Sequence, residues 1–346
     1  MEKILIDNLN PASEIRVGDS WKAVSELIPD SDVFIVTDEN VNRIYGDYFP
    51  DFPLMVIPEG EKSKKLGMIE QISAEMLNKD IDRSGFILAI GGGVVCDLAG
   101  FLAAVYMRGI RCGYVSTTLL AQVDASTGGK NGVNLGTFKN ILGTIRQPEF
   151  VICDPSMLLT LPMEEYLSGL AELIKTAIIG DRELFDLIEQ HHEDIMKKNT
   201  DLLEILVARA VRFKASVVSE DEREKGIRRI LNFGHTFGHA IELEKSIKHG
   251  FAVAAGMEMA IRFSATKGYC SEADAERMIS MLKRFGLDKK HNVLASRIKE
   301  LVMHDKKRTG DNIDFIFTRG IGNAFYEKVS EPELMDFYGK YVNNQL

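Results

Sequence analysis

Several features that would place a sequence in a narrow class are missing from this chain. Its four cysteines form no CxxC pair, which argues against a thiolate zinc site and a disulfide framework and suits a reducing compartment. The most hydrophobic region, 87–107, is interrupted by three consecutive glycines and by an aspartate, so no segment qualifies as a membrane span. The N-terminus has no apolar core of a signal peptide. We therefore expect a cytoplasmic protein without a membrane partner.

Basic residues are also fewer than acidic residues. The 346 residues include 42 lysines and arginines against 51 aspartates and glutamates, which gives a formal net charge of −9. This balance argues against a nucleic-acid partner, because such proteins carry an excess of basic residues. It remains compatible with a small anionic ligand, which needs only a local group of cations. The length is sufficient for about two domains.

The first 155 residues alternate short β-branched runs with helical patterns. The runs predict strands at 32–38, 52–58, 85–92, 112–118 and 150–155. This alternation is typical of a parallel α/β sheet. Later residues predict helices at 164–180, 182–198, 201–219, 227–244, 251–268 and 273–285, with one strand candidate at 313–318. The pattern predicts a Rossmann-like α/β domain over 1–158 and an all-α domain over 159–346.

Three consecutive glycines, Gly91 to Gly93, separate a predicted strand from a predicted helix. Glycines at such a junction let backbone amides approach a pyrophosphate, and the helix N-terminus favours negative charge. The motif is not the GxGxxG fingerprint, so a plain tight turn is the alternative. Asp97, in the first helical turn, could equally be a charge that complements the helix dipole.

The segment 116–143 is rich in glycine and in polar side chains. A run of this kind inside a compact domain predicts a binding loop, although any one of its residues could simply be solvated. The polar residues that we single out are Asp124, Lys130, Asn134, Lys139 and Asn140.

The stretch LNFGHTFGHAIE, residues 231–242, carries two histidines four residues apart. In a single helix over 227–244, Arg228, Asn232, His235 and His239 would share a sector of roughly 60°. Most of the remaining circumference of that helix is apolar or small, which is the reverse of a surface helix. The pattern therefore predicts a polar stripe that lines a wet cavity.

Further metal-ligand candidates lie on either side of this stretch. Glu172 and Lys175 share one face of an apolar helix, either as an ion pair or as a ligand beside a substrate-binding ammonium. His249 precedes a glycine and a helix of small residues. Two histidines and one glutamate are an established catalytic zinc set. Spacing alone leaves open whether His235 or His239 joins it.

Seven segments of the chain occur in a specific order. They are GGGVVCDLAGFLAAVYMRG, TTLLAQVDASTGGKNGVN, KNILG, TLPMEEYLSGLAELIK, DEREKGIRRILNFGHTFGHAIE, HGFAVAAGM and HDKK. In this order they resemble the 3-dehydroquinate synthase family over residues 35 to 325. The resemblance implies a homodimeric lyase that uses NAD and a divalent metal, zinc or cobalt. Its substrate would be a small anionic sugar phosphate, 3-deoxy-D-arabino-heptulosonate 7-phosphate, converted to 3-dehydroquinate and phosphate.

The resemblance also implies roles for individual residues. Glu172, His235 and His249 match the metal ligands. Positions that match the substrate pocket are Asp124, Lys130, Lys139, Asn140, Lys175, Lys214, Glu224, Arg228, Asn232, His239 and the pair Lys306 and Lys307, of which either could enter the pocket. The catalytic group among them is Lys130, Lys175, Glu224, Arg228, Asn232 and His239. Positions that match cofactor contacts are Asp38, Asn40, Glu61, Lys62, Gly92, Gly93, Asp97, Thr117, Thr118, Lys130, Lys139 and Thr160. Arg108 matches an arginine that reaches the partner subunit's site.

Four positions depart from the usual family residue. Cys96 replaces glycine, Thr127 replaces valine, Asn131 replaces threonine and Phe251 replaces glutamate. None is a matched ligand or pocket residue. Phe251 is closest in sequence to a metal ligand, so it brings into question what supports His249.

Three alternative functions share parts of this pattern. One is another sugar-phosphate cyclase, such as a 2-epi-5-epi-valiolone synthase, whose substrate lacks the carboxylate. The second is a metal-dependent alcohol dehydrogenase of the same architecture. The third is a non-catalytic NAD-binding relative. The retained cations favour an acidic substrate, and the complete ligand set favours catalysis.

Overall fold

The structure is a computed structural model that describes residues 1–136, 138–289, 291, 293–303, 308–309, 312–343 and 345. Its strands are β1 (Glu2–Ile6), β2 (Ser13–Val17), β3 (Val33–Asp38), β4 (Leu54–Ile57), β5 (Phe86–Gly91), β6 (Arg111–Ser116), β7 (Lys130–Leu135), β8 (Phe138–Ile145), β9 (Phe150–Cys153), β10 (Arg308–Thr309), β11 (Asn312–Thr318) and β12 (Ala324–Ser330). Its α-helices are α1 (Glu39–Tyr45), α2 (Leu66–Asn78), α3 (Gly93–Val105), α4 (Met163–Gly180), α5 (Arg182–Gln190), α6 (His192–Met196), α7 (Thr200–Glu220), α8 (His235–Lys245), α9 (His249–Thr266), α10 (Glu272–Arg284), α11 (Ala295–Met303) and α12 (Glu331–Val342). In the part of the chain so described, no helix has the length and apolar character to cross a bilayer.

The chain divides into two units, each made of two segments. The first comprises Met1–Pro162 and Lys198–Arg223, and the second comprises Met163–Lys197 and Glu224–Leu346. This division differs from a single boundary near residue 158, because helix α7 packs with the first unit. There α7 contacts β1 and the short helical turns at Ala121–Ala125 and Pro155–Thr160.

The first unit is built on a seven-stranded sheet in the order β1-β2-β9-β6-β5-β3-β4. All neighbouring strands are parallel except β1 and β2. The five predicted strands are confirmed as β3, β4, β5, β6 and β9. Strand β5 is buried along its whole length, as expected of a parallel strand covered on both faces, and this is why it reads as a continuous apolar run.

The sheet has a switch point between β3 and β5. From β3 the chain moves to β4 on one side, and then to β5 on the other side of β3. Ligands of open α/β sheets bind outside the carboxyl ends of the strands at such a point. Two predicted cofactor positions lie there, because Asp38 ends β3 and Gly92 follows β5.

The predicted binding loop at 116–143 is mostly not a loop. Ala121–Ala125 form a turn of π-helix, and β7 and β8 pair as an antiparallel ribbon. The prediction of a loop was wrong because residues 130–135 pair with residues 138–145 across the ribbon despite their glycines. Gly132 and Gly143 face each other in this ribbon, and a Cβ on Gly143 would lie 2.6 Å from the carbonyl oxygen of Asn131.

The second unit is helical, as predicted, and it also contains a small antiparallel sheet in the order β10-β11-β12. The late strand candidate is confirmed as β11, whereas β12 was not anticipated. The sheet contributes to an aromatic core that packs against α8, α9 and α12, and whose rings come from Phe237, Phe263, Phe315, Phe317, Phe337 and Tyr338.

The predicted single helix at 227–244 is interrupted. Ile227–Asn232 form a 3₁₀ helix, and α8 begins only at His235. Between them Gly234 has a φ of 78°, a left-handed conformation that an α-helix cannot contain. The polar stripe is therefore wrong as a feature of one helix, since Arg228 and Asn232 lie on a different element from His235 and His239.

Glycines bring the helices of the second unit into backbone contact. A Cβ on Gly256 of α9 would lie 1.9 Å from the carbonyl oxygen of Gly234, just before α8. A Cβ on Gly250, also in α9, would lie 2.1 Å from the carbonyl oxygen of Ser168 in α4. The backbone amide of Gly250 donates to the Ser168 hydroxyl at 3.0 Å. These contacts fix the starts of α8 and α9 relative to α4.

Gly256→Ala is expected to lower the free energy of unfolding by about 3 kcal/mol or more, because the added methyl group meets backbone that no rotamer change can move. Urea denaturation of the two proteins measures the difference. Gly339→Ala is the matched control, since nothing lies within 4 Å of its Cβ position in α12. That substitution should be neutral or stabilise by up to about 1 kcal/mol. Equal stability of both variants would contradict the close packing.

Candidate functional site

Three side chains in the second unit form a group that could hold a metal ion. Glu172 comes from the middle of α4, and His235 and His249 are the first residues of α8 and α9. One donor atom of each lies within 4.8 Å of the others. The Oε1 atom of Glu172 is 3.4 Å from Nε2 of His249 and 3.9 Å from Nε2 of His235. The Nε2 atoms of both rings therefore converge on one carboxylate oxygen.

The opposite nitrogen of each ring is held by an acceptor. Nδ1 of His235 is 3.1 Å from the carbonyl oxygen of Phe233, and Nδ1 of His249 is 3.1 Å from Oε2 of Glu242. With the proton on Nδ1, each ring presents the lone pair of Nε2. This arrangement suits metal ligation, since ligating histidines generally donate their other N–H to an oxygen.

Glu172 is fully buried, which makes its charge costly unless a cation compensates it. Neither of its carboxylate oxygens accepts a hydrogen bond of acceptable geometry from the described residues, although the Lys175 ammonium contacts Oε2. Burial alone would lower the pKa of His249, but the nearby carboxylates of Glu172 and Glu242 outweigh it and raise that pKa to about 10. The group therefore attracts positive charge, and the donor set fits a divalent ion.

A second, overlapping group also satisfies the distances for metal binding. His239, Glu242 and His249 each offer a donor atom within the same 4.8 Å limit. The rings of His235 and His239 lie 5.1 Å apart between centroids. Geometry thus leaves open which histidine of the LNFGHTFGHAIE stretch is a ligand, as the spacing did.

The other predicted residues of the second unit cluster on the 3₁₀ helix that precedes α8. Arg228 is buried, and Asn232 donates a side-chain hydrogen bond to Glu224. Glu224 itself has a φ of 56°, in the left-handed region. Non-glycine residues held in this region are frequent in functional sites. Lys306 and Lys307 lie outside the described residues.

In the first unit, two ion pairs surround the π-helical turn and the start of α3. The Lys214 ammonium, from α7, donates to the Asp124 carbonyl oxygen at 2.7 Å and contacts its carboxylate. Single turns of π-helix are frequent at functional sites. The Lys64 ammonium contacts Asp97. Burial raises the pKa of Asp97, and the charge of Lys64 opposes that shift.

The ribbon that carries three predicted pocket residues is joined to the segment before α2. Lys130, Lys139 and Asn140 are exposed on β7 and β8. Asn134 connects the two parts, because its side chain donates to Glu61 at 2.8 Å and its backbone amide donates to the carbonyl oxygen of Lys64 at 2.8 Å. It also accepts a hydrogen bond from the backbone amide of Asn140. Predicted substrate and cofactor positions thus meet along this ribbon.

Most predicted cofactor positions gather at the switch point of the sheet. Asp38 caps α1 by accepting from the backbone amides of Asn40 and Val41 at 2.9 and 3.0 Å. Burial raises the pKa of Asp38. At the adjacent strand end, Gly92 caps α3 and Gly93 is its first residue.

Thr117 and Thr118 lie beside the glycine turn. The backbone amide of Thr117 donates to the carbonyl oxygen of Gly91 at 3.0 Å, and a Cβ on Gly92 would meet the Thr118 side chain at 2.8 Å. Thr160 lies elsewhere, with its hydroxyl 2.7 Å from that of Tyr45 on α1. Lys62 is exposed.

Arg108 is exposed in a strained turn at the end of α3. Met107 and Arg108 have φ values of 47° and 71°, and Gly109 follows with a φ of 118°. Consecutive non-glycine residues in the left-handed region cost of the order of 1–3 kcal/mol each. The surrounding structure therefore holds this cation in a specific exposed position.

Sequence reasoning missed two buried charged residues. Lys64, rather than Lys62, reaches Asp97, and nothing in the string EKSK distinguishes the two lysines. Glu242 contacts His249 across two helices. Its position three residues after His239, on one helix face, was the available signal.

The unusual residues Asn131 and Phe251 have clear structural surroundings. Asn131 accepts from the Tyr114 hydroxyl at 3.1 Å, and its amide donates to the carbonyl oxygens of Gly129 and Arg146, both at 2.9 Å. These bonds fasten the base of the ribbon. Phe251 is buried and offers no acceptor to His249.

Comparison with known proteins gives matches along both units. Residues 54–168 match the family described as 3-dehydroquinate synthase N-terminal, and residues 169–308 match 3-dehydroquinate synthase C-terminal. A 3-dehydroquinate synthase of Solibacter usitatus is 44% identical over 302 residues, which cover 84% of this chain and 85% of the relative. A 3-dehydroquinate synthase of Pelobacter propionicus is 42% identical over 293 residues, which cover 84% of this chain and 82% of the relative.

Solved structures agree with this fold. A 2-epi-5-epi-valiolone synthase from Streptomyces hygroscopicus subsp. jinggangensis, with NAD⁺ and Zn²⁺ bound, has a TM-score of 0.87 at 26% identity and covers 95% of this chain and 96% of its own. A 2-deoxy-scyllo-inosose synthase with carbaglucose-6-phosphate, NAD⁺ and Co²⁺ has the same score and identity, with coverage of 97% and 99%. An iron-containing alcohol dehydrogenase of Thermotoga maritima shares the fold alone. Its TM-score is 0.68 at 15% identity, and the match covers 95% of this chain and 97% of the dehydrogenase. From the matches along both units and the identity to its relatives, the chain belongs to the 3-dehydroquinate synthase family.

Proposed function

We propose that this enzyme converts 3-deoxy-D-arabino-heptulosonate 7-phosphate to 3-dehydroquinate and phosphate, as a lyase dependent on NAD and a divalent metal. The observation that carries the proposal is the convergence of His235 and His249 on the buried carboxylate of Glu172. That group appears in a chain whose relatives at 40–44% identity are named 3-dehydroquinate synthase.

We assign the metal to Glu172, His235 and His249 rather than to the overlapping group. The fully buried Glu172 is otherwise a poorly hydrogen-bonded charge, and two imidazoles with one carboxylate suit zinc or cobalt. The structural relatives hold Zn²⁺ or Co²⁺. A divalent ion bound there supplies Lewis acidity to the hydroxyl and carbonyl oxygens of the reacting carbons.

NAD fits the switch point of the first unit, where Asp38 and the glycine turn stand at adjacent strand ends. The two structural relatives also hold NAD⁺. Bound NAD supplies a transient acceptor for the hydride of the C5 hydroxyl carbon, and the resulting ketone acidifies the neighbouring C–H. The hydride is returned after phosphate leaves, so the reaction has no net redox change.

The chain's own residues bind and orient the substrate. Arg228 and Asn232 of the second unit are assigned to its anionic and hydroxyl groups. Lys130, Lys139 and Lys214 of the first unit keep the substrate role that the family resemblance implies. Fixing the sugar phosphate in a reactive geometry provides much of the rate gain in such reactions. The departing phosphate can accept the proton at the elimination step, so no side-chain base is assigned. Ring opening and aldol closure need little assistance.

We also propose a homodimer in the cytoplasm. Leu135, Phe138, Ile141 and Ile145 are exposed large apolar side chains of the ribbon, with 42–59% of their surface accessible. A group of this kind favours burial against a second copy. The four cysteines are free and buried, which suits a reducing compartment.

Phosphate release should be fast with the heptulosonate phosphate and at least about a hundredfold slower with sedoheptulose 7-phosphate, since the second substrate leaves carboxylate-binding cations unpaired. The two substrates are assayed side by side at equal concentration. The reverse preference would support the valiolone-synthase alternative, which the 26% identical structure represents. Inactivity with both would refute the proposal.

NAD should be required only in catalytic amounts. In a reaction with product in large excess over NAD, absorbance at 340 nm should stay at the level of enzyme-bound NADH while phosphate accumulates. NADH formed in proportion to product would instead support the dehydrogenase alternative, whose fold the chain shares.

A further inference from the structure

We infer that Glu242 is a positioning residue that orients His249 for metal binding. The inference rests on the proposed metal assignment. His249 has a carboxylate on each side of its ring: Oε2 of Glu242 is 3.1 Å from Nδ1, and Oε1 of Glu172 is 3.4 Å from Nε2. Only one of these nitrogens can carry the proton in the neutral ring that ligates a metal.

The surroundings determine which nitrogen faces the ion. Oε1 of Glu172 is approached by Nε2 of both His235 and His249, so the ligand atoms converge on that side. His235 already donates from Nδ1 to a backbone carbonyl oxygen. Glu242 provides the equivalent acceptor for His249, which places the proton on Nδ1 and the lone pair on Nε2.

His249 needs such an anchor because of where it lies. It is the first residue of α9, so no preceding helical turn restricts its side chain. Two residues later, this chain has Phe251 where the family usually has glutamate, and phenylalanine offers no acceptor. The Lys289 ammonium lies 5.6 Å from the centre of the Phe251 ring. Glu242 is buried on the neighbouring helix α8. The glycine contacts bring the backbones of α8 and α9 close together near this pair.

The test compares Glu242→Ala and Glu242→Gln with the native protein. Zn²⁺ affinity is measured by competition with a chromophoric chelator, and Co²⁺ is used to record the ligand-field spectrum. Removing an outer-shell carboxylate from a ligating histidine should weaken metal affinity about 10–100-fold in Glu242→Ala. Glu242→Gln keeps a neutral acceptor and should lose less. Because all ligands remain, both Co²⁺ spectra should retain the native coordination number.

The control is Glu258→Gln, which changes another buried glutamate of the second unit, on α9 and paired with Arg262. This variant should bind Zn²⁺ with native affinity. Thermal unfolding of the metal-free proteins separates loss of folding from loss of affinity, and the comparison uses variants with native-like transitions.

Unchanged Zn²⁺ affinity in both Glu242 variants would overturn the inference. The inference would also be overturned if Glu242→Gln lost the metal while Glu172→Gln retained the metal, since Glu242 would then be a ligand. These readouts need no substrate. If the affinity pattern holds while neither sugar phosphate is turned over, the proposed function fails and the positioning role stands.

Discussion

His235→Ala is expected to lose the bound metal and catalytic turnover together, whereas His239→Ala keeps the metal and loses turnover. His235 supplies one of two imidazole nitrogens at the Glu172 carboxylate. Its removal should weaken Zn²⁺ binding by more than about a hundredfold, the upper range for changes outside the ligand set. His239 is assigned to the substrate, so its loss should leave metal content unchanged. Elemental analysis and phosphate-release assays measure the two properties.

His191→Ala is the matched control for these two variants, because His191 is a histidine of the same unit whose side chain is 43% accessible. It should retain both metal and activity. In the native protein, prolonged treatment with a chelator should abolish turnover, and Zn²⁺ or Co²⁺ should restore it. A metal-free His239→Ala with a metal-loaded His235→Ala would show that the overlapping group, His239, Glu242 and His249, is the true site.

Arg108→Ala and Lys175→Ala should each be nearly inactive alone and should regain about a quarter of wild-type activity when mixed after reversible dissociation. The reason is the position of Arg108. Helix α3 begins at the glycine turn and runs 13 residues, or about 20 Å, so Arg108 lies far from the glycine turn at the start of its own helix. If it serves the partner's site, each heterodimer contains one intact site, and half of all dimers are heterodimers.

Lys175 contacts the buried Glu172, so its removal is best examined in metal-loaded protein. Lys214→Ala is a second partner for Arg108→Ala and should complement it equally. Mixing Lys175→Ala with Lys214→Ala is the control, because both residues are assigned to the site of their own chain and no intact site results. Absence of recovery with Arg108→Ala, in samples where heterodimers are demonstrated by mass, would contradict the shared site.

The parallel strands were predictable because burial on both faces leaves a continuous apolar run in the sequence, as in β5. The interruption before α8 was not, because a periodic pattern of apolar residues tolerates a glycine without revealing its φ. Gly234 has a left-handed conformation, and Val253 and Met257 of α9 lie against it in the folded chain. Periodicity therefore placed four polar residues on one helix, whereas the structure divides them between a 3₁₀ helix and α8.

The ribbon and the role of Glu242 were missed for a related reason. The ribbon contains β-branched residues, but Gly132 and Gly143 and the polar residues beside them interrupt the pattern that normally signals strands. The bond between Glu242 and His249 joins two helices whose packing depends on backbone contact at Gly256. Such contacts have no local sequence period, so they could be found only once the helices were placed.

The contact between Gly250 and Ser168 joins residues 82 positions apart in the chain. In the unfolded chain the proposed ligands on α4 and α9 are consequently separated by a long loop, and closing it costs entropy that the native fold has already overcome. The ion therefore binds the folded second unit far more strongly than the unfolded chain. Each tenfold rise in free metal above its dissociation constant should add about 1.4 kcal/mol to the free energy of unfolding. Metal supply thereby becomes a determinant of how long this protein persists in its folded form.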